Sequence, residues 1–273
     1  MTQNHPTEAY THGHHDSVLR AHRWRTADNS AGYLLPALQP GQTLLDVGCG
    51  PGTVTVDLAA RVAPGAVIGV DRSEKVIELA RAEAERAGAT NVTFQVADAY
   101  DLPFADDSVD VAHAHQLLQH LADPVAALRE LRRVVRPGGV VAVRDGDYAG
   151  MTWYPASPAL DEWSALYHEV THANGAEADA GRRLQSWALA AGFDPDTLVA
   201  TAGVWCYASE DDREWWADLW AERCVASDFA RQAVEHGLAD EVGLEQIAAG
   251  WREWGRNPDG WFAVLHGEVL ARV

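Results

Sequence analysis

The sequence predicts an α/β protein built on a doubly wound, mostly parallel sheet, and three observations carry that prediction. Short, nearly continuous apolar runs alternate with helical stretches through the first half of the chain, as strands buried on both faces do. One such run passes into a helix through a turn bearing three glycines, Gly48, Gly50 and Gly52. The length, 273 residues with 47% hydrophobic and 22% charged residues, suits one sizeable core.

The elements follow in order. An amphipathic helical pattern covers Asp16 to Leu38, with an interruption near Pro36. Pro40-Gly41 marks the turn before the first strand, Thr43–Val47, and a helix from Thr53 to Val62 ends at Pro64-Gly65. The second strand is Ala66–Val70. Ser73 is placed to cap the next helix, which Gly88 stops. Asn91–Val96 and Val109–Ala114 read as the third and fourth strands. A helix from Pro124 to Val135 stops at Arg136-Pro-Gly-Gly139, and Val140–Arg144 makes a fifth strand. Beyond Asp147 the pattern changes. Residues 148–180 carry Trp, Pro and His without clean periodicity at first, Gly181–Ala191 reads as a helix and Thr197–Tyr207 as a strand. Residues 209–256 read as wholly helical and Trp261–Leu270 as a strand, so the simplest account is a last pair of strands split by a helical insertion.

Composition narrows the function. A formal net charge of -19 opposes nucleic-acid binding, which needs a basic surface. The arginines between Arg129 and Arg136 recur at helical spacing with Glu130 among them, the pattern of a solvated face. No segment reads as a membrane span or signal peptide, which predicts a cytoplasmic protein. Cys49, Cys206 and Cys224 are odd in number and widely spaced, so neither a disulfide framework nor a zinc site is expected. The tract His12, His14, His15 lacks a carboxylate or cysteine to complete a ligand set, and no metal is expected.

The chemistry is carried by Asp46-Val-Gly-Cys-Gly-Pro-Gly52. Glycines at alternate positions let a ligand approach the backbone closely, and in a doubly wound sheet a nucleotide sits beyond the carboxyl ends of the strands. Dinucleotide enzymes use G-x-G-x-x-G to seat an anionic pyrophosphate, whereas here G-x-G-x-G follows an acid, Asp46, which suits a cationic ligand. This stretch resembles the first motif of the class I S-adenosylmethionine-dependent methyltransferases, closest in style to the ubiquinone/menaquinone-biosynthesis methylases. Gly69-Val-Asp71, Ala97-Asp98-Ala99, the segment His113 to Pro124 and Leu131 to Gly139 resemble later motifs of that family in the same order. The likeness is firm over 42–147 and loose elsewhere.

The resemblance implies a Rossmann-like sheet with an antiparallel last strand, helices on both faces and helical insertions. It implies S-adenosylmethionine as cofactor, held by Asp46, Gly48, Cys49, Gly50, Gly52, Asp71, Arg72, Asp98, Ala99, His115 and Gln116. Asp71 would take the ribose hydroxyls and Asp98 the adenine amine. It further implies a single domain: a helical lid over 1–41, a cofactor core over 42–147, and substrate-side insertions at 148–180 and 209–256. Residues 181–208 and 257–273 complete the core. The acceptor would be a small molecule and the protein a monomer or homodimer.

Histidine is the usual general base where an acceptor must lose a proton, which makes His115 and His120 the candidate catalytic residues. Packing roles for both remain the alternative. Tyr10, His14, His22 and Arg25 precede the core and are candidates for a lid, while Asp147, Tyr148 and Trp153 are candidates for contact with substrate. Asp145-Gly-Asp147 also reads simply as a turn. All 11 tryptophans but Trp24 lie after Gly150, and Trp215, Trp216 and Trp220 join Trp153 in the insertions. Such residues line apolar pockets or pack helices onto a core. Two other functions are weaker. A nicotinamide oxidoreductase is opposed by the glycine spacing and by the absence of a Tyr-x-x-x-Lys pair, since Lys75 is the only lysine. A cofactor-binding protein that has lost catalysis is opposed by the intact motif.

Overall fold

Every residue of the central strand β1 (Leu44–Val47) is buried, and successive side chains face opposite layers. Leu45 and Val47 pack with Leu128 and Leu131, whereas Leu44 packs with Leu34, Leu58 and Val62 on the other side. The computed structural model describes Thr11, His22 and residues 24–273, and in it one sheet carries apolar layers on both faces.

β2 (Val67–Asp71) and β3 (Val92–Val96) pair in parallel outward from one edge of β1, and β4 (Val109–His115) and β5 (Val135–Gly146) from the other. Three later strands are β6 (Thr152–Tyr154), β7 (Leu198–Tyr207) and β8 (Trp261–Arg272). β8 is antiparallel to β5, with Val140 opposite Arg272 and Gly146 opposite His266. Its other edge pairs with β7, from Leu198 opposite Ala271 to Tyr207 opposite Phe262. The main order is therefore β3-β2-β1-β4-β5-β8-β7, with β6 continuing the β5 side of β8. The carboxyl ends of β1 to β5 and β7 lie along one edge, the edge on which ligands of such sheets bind.

The described helices are α1 (Ala27–Ser30), α2 (Thr53–Val62), α3 (Glu74–Ala87), α4 (Pro124–Val134), α5 (Pro158–Ala173), α6 (Ala180–Ala190), α7 (Glu210–Ala226), α8 (Asp228–Glu235) and α9 (Glu241–Gly255). Ser73 caps α3 by accepting from the Val76 amide, and Gly88 ends it at φ +67°, as its sequence predicts.

Three local expectations are corrected. The helical pattern expected over 16–38, with its interruption near Pro36, is broken earlier as well in its described part. Thr26 caps a new start in a reciprocal capping box with Asn29, and α1 closes after four residues. The stop expected at Arg136-Pro-Gly-Gly139 lies inside β5, where the pairing of β4 with β5 jumps from Val109–Val135 to Val111–Val140. Helix α5 lies in a stretch whose sequence shows no clean periodicity. Its start is nonetheless written locally, with Ser157 accepting from the Leu160 amide and Pro158 in the first turn.

The residues between β5 and β7 and those between β7 and β8 share one core. Trp163 of α5, Trp220 of α7 and Trp251 of α9 are each no more than 1% exposed. Their ring centroids lie 4.5 Å (Trp163–Trp220) and 4.9 Å (Trp163–Trp251) apart, and Phe262 of β8 packs beneath them. Truncating Trp163 to alanine should cost about 3–5 kcal/mol, the range for a large aromatic core residue, read as a lowered urea midpoint. An unchanged midpoint would mean that this cluster does not hold the helices in place.

Candidate functional site

A cavity of about 540 Å³ opens along the carboxyl edge of the sheet, from the ends of β1, β2 and β3 across β4 to the end of β7. The turn after β1 forms its floor. Gly48, Gly50 and Gly52 adopt φ of +72°, +55° and +84°, which side chains with a Cβ rarely take. The amides of Gly48 and Cys49 both donate to the Val70 carbonyl, and the Gly50 amide donates to Asp71 Oδ2 at 3.2 Å. Asp71 Oδ1 accepts from the Ser73 amide, so one carboxylate ties the glycine turn to the start of α3.

Asp46 lies at the end of β1 and is only 2% exposed. His113 Nδ1 donates to its Oδ1 at 2.8 Å, and the Thr55 hydroxyl donates to its Oδ2 at 2.5 Å. Both oxygens are thus engaged, and a ligand above would feel Asp46 chiefly as charge. Asp98, whose Oδ1 accepts from the Tyr100 amide, lines the cavity with Ala97 and Ala99. Carboxylates therefore stand at the ends of three neighbouring strands.

The middle of the cavity is an array of neutral and cationic nitrogen groups. Gln116 holds φ +51°, its amide donates to the Arg144 carbonyl at 2.7 Å, and its side chain joins Arg25 to His266. His115 beside it is buried, and neither ring nitrogen has a hydrogen-bond partner among the described residues. Burial first, then the charges of Arg25 and Arg144, hold its pKa well below the usual imidazole value. Burial, with Arg25 and Arg72, lowers His120 to about 3. Both rings are therefore neutral at neutral pH.

The far wall is aromatic. Trp24, Tyr148, Trp205, Tyr207, Trp215, Trp216 and Trp220 line it together with Met151 and Arg223. Tyr148 and Tyr207 are held by stacking on Tyr167 and Trp216, at 3.9 and 4.4 Å between ring centroids.

Most of the residues expected from sequence meet in this cavity: Asp46, Gly48, Cys49, Gly50, Asp71, Arg72, Asp98, Ala99, His115, Gln116, His120, His22, Arg25 and Tyr148. Three do not. Gly52 caps α2, and a Cβ there would press on Ala80 and Phe94, so it shapes the turn without lining the cavity. Asp147 is turned away from the cavity into an ion pair, receiving the Arg182 amide at 3.0 Å and its guanidinium at 2.5 and 2.7 Å. Trp153 stacks on Phe262 in the helical core, 5.6 Å between ring centroids. Tyr10 and His14, like His12 and His15, lie outside the described residues. Sequence reading missed Trp205, Tyr207, Met151 and Arg223. The aromatic end of the Thr197–Tyr207 strand was a usable signal, because a strand parallel to β1 brings its last residues to the ligand edge. Among the described residues no group of three or more metal-ligating side chains is assembled, and no helix is long and apolar enough to cross a membrane.

Comparison with known proteins gives the same picture. Residues 38–203 match the profile of a methyltransferase-domain family. A methyltransferase of Schizosaccharomyces pombe with no assigned acceptor is 33% identical over 268 residues, covering 96% of this chain and 95% of the relative. A 27-O-demethylrifamycin SV methyltransferase of Amycolatopsis mediterranei is 38% identical over 138 residues, about half of each chain (49% and 50%). The fold recurs in a geranyl diphosphate methyltransferase solved with S-adenosylmethionine, with TM-score 0.53 and 20% identity over 94% of this chain and 89% of that one.

One buried acid beside the site makes stability depend on pH. Asp145 is fully buried, its Oδ1 accepts from the Gln119 amide at 3.1 Å, and Oδ2 has no partner among the described residues. Burial outweighs the amide bonds and the charge of Arg144 and pushes its pKa up to about 7. The unfolded chain releases this proton near pH ~3.9, so in the interval folding takes up a proton. This group's contribution is full below about pH 4, falls as pH rises by at most about 1.4 kcal/mol per unit, and levels off above about pH 7. Asp145→Asn should therefore gain stability relative to wild type across that interval in urea titrations. Parallel pH profiles for the two proteins would contradict it.

Proposed function

Because the chain belongs to the class I S-adenosylmethionine-dependent methyltransferases and uses S-adenosylmethionine, we propose that its acceptor is a small apolar or aromatic molecule seated against the tryptophan wall. The observation that carries this reading is the continuity of one cavity from three carboxylate-bearing strand ends to that wall. Pockets for small molecules combine an apolar lining with few polar groups in this way.

The residues fit the cofactor. The backbone of Gly48 to Gly50 leaves room at positive φ, Asp71 and Asp98 offer acceptor oxygens, and Asp46 supplies negative charge beneath. When bound, S-adenosylmethionine supplies an activated methyl group, so the protein needs no nucleophile of its own. The tasks left to this chain are to hold an acceptor atom in line, exclude water and satisfy the acceptor's polar groups. Orientation of this kind is worth on the order of 7–11 kcal/mol in favourable cases.

His115 and His120 act as neutral hydrogen-bond partners in this proposal. A ring of such low proton affinity is a poor general base near neutral pH. The His115 nitrogens instead accept from, or donate to, the polar edge of the acceptor. Residues 148–180 and 209–256 recognise the acceptor, and His22 and Arg25 cover the cofactor, with Arg25 tied down on Gln116. The net charge of -19 supports an enzyme that does not engage nucleic acid.

Two variants separate the halves of the site. Asp71→Ala should weaken S-adenosylhomocysteine binding by about tenfold to a hundredfold, the loss of one or two hydrogen bonds to a charged group, with unchanged far-UV circular dichroism. Trp216→Ala should leave that affinity intact and lower the affinity of any aromatic acceptor found by screening. If Trp216→Ala instead abolished cofactor binding and spared acceptor binding, the assignment of the aromatic wall would be wrong.

A further inference from the structure

One ring of the aromatic wall comes from a different part of the chain. Trp24 precedes the glycine turn, and every other tryptophan follows Gly150. Its indole meets Trp205 edge-on at 5.2 Å between ring centroids and lies 5.7 Å from both Tyr207 and Trp215. These four rings all line the cavity. Their exposure sets Trp24 apart. Trp205, Tyr207 and Trp216 are no more than 7% exposed, whereas Trp24 is 36% exposed. Packed protein lies behind the buried rings, and water lies behind Trp24.

The indole is held in place despite that exposure. The Trp24 carbonyl accepts from the Asn29 side chain at 3.1 Å, and Asn29 is itself fixed by the capping box that starts α1. Bonds on either side tie this stretch to two elements. On α2, the Thr53 hydroxyl donates to the His22 carbonyl at 3.1 Å, and Asp57 Oδ2 accepts from the Ala27 amide at 2.9 Å. On β7, Trp205 Nε1 donates to the Asn29 carbonyl at 2.6 Å. The backbone around residue 24 is thus anchored, and the ring contacts orient its side chain. A bulky ring fixed where an apolar pocket meets solvent limits how far a ligand can extend, because packed surfaces resist the addition of even small groups.

We propose that Trp24 determines acceptor size: its indole closes the aromatic end of the cavity on the solvent side and sets the longest aromatic frame that can be seated there. This inference rests on the acceptor reading above and adds the residue that bounds the acceptor. The buried wall rings cannot act in this way. Trp216 packs on Tyr207 and Phe262, so removing it opens a hole onto protein. Removing the Trp24 indole opens the cavity to solvent, and a longer frame gains a way out.

The test is equilibrium dialysis of the full chain, loaded with S-adenosylhomocysteine, against phenol, 2-naphthol and 2-anthrol. These carry one hydroxyl on one, two and three fused rings. In the wild-type chain affinity should rise with ring number until the frame meets Trp24, and the next probe should bind about tenfold or more weaker than its predecessor. In Trp24→Ala the ratio of those two affinities should shift by about tenfold or more toward the longer probe. Reading a ratio cancels the general loss of apolar contact. Trp24→Phe keeps a ring against Trp205 and should give an intermediate ratio, which decides the matter if Trp24→Ala fails to fold. An unchanged ratio in the variants, or no break in the wild-type series, would overturn the proposal and leave an aromatic acceptor standing. Loss of S-adenosylhomocysteine affinity in both variants would mean that the ring holds its stretch of chain in place, and would overturn the proposal as well. Binding of none of the probes by the loaded wild-type chain would overturn the aromatic-acceptor reading and this inference with it.

Discussion

A carboxylate buried at the end of the central strand is the constraint on which the rest of the site depends. Asp46 sits directly across from His113 in the β1–β4 pairing and from Gly69 in the β1–β2 pairing. At 2% exposure it has little water to solvate it, so its oxygens need protein donors. His113 and Thr55 supply them, and in doing so they fix the end of β1 against β4 and the first turn of α2. The glycine turn between β1 and α2 then has one available path, and its amides and the Asp71 carboxylate meet as described. The binding edge is held from beneath by a buried polar network whose members cannot be removed singly without leaving a donor or acceptor unsatisfied.

What could be read from the sequence follows from how local each cause is. Strand ends, caps and the glycine turn depend on neighbours within a few residues, so β1 to β4, Ser73, Gly88 and the α2 start are legible in the sequence. The antiparallel closing strand came with the family resemblance and is present as β8. The aromatic half of the cavity was less legible, because Trp205, Tyr207 and Arg223 lie 89 or more residues from Gln116 in the chain and meet it only through sheet order. Asp147 and Trp153 show the limit from the other side. Their position after a strand end located them at the ligand edge, but Arg182 and Phe262 decided which way they face.

Polarity within the cavity contrasts with polarity outside it. The surface is acidic, with charge -19 in the whole chain, yet arginines are drawn inward beside Trp205 and Trp220. Guanidinium tolerates such places better than ammonium because it is weakly hydrated and stacks on rings. With a single lysine in the sequence, nearly every positive charge available to the site is of the kind that can be placed against an aromatic face.

The position of β8 has a consequence for the birth of the molecule. Trp261–Arg272 is synthesised after β5, β6 and β7, yet it pairs with all three and lies between β5 and β7 in the sheet. Until it leaves the ribosome, β5 and β7 each present an open edge, and the tryptophans of α5, α7 and α9 lack the Phe262 surface on which they close. The glycine turn and β1 to β4 can form early, from near neighbours, while the tryptophan wall waits for a strand more than fifty residues downstream of β7. A nascent chain therefore completes one end of the cavity before the other, and is most exposed to wrong pairing in that interval.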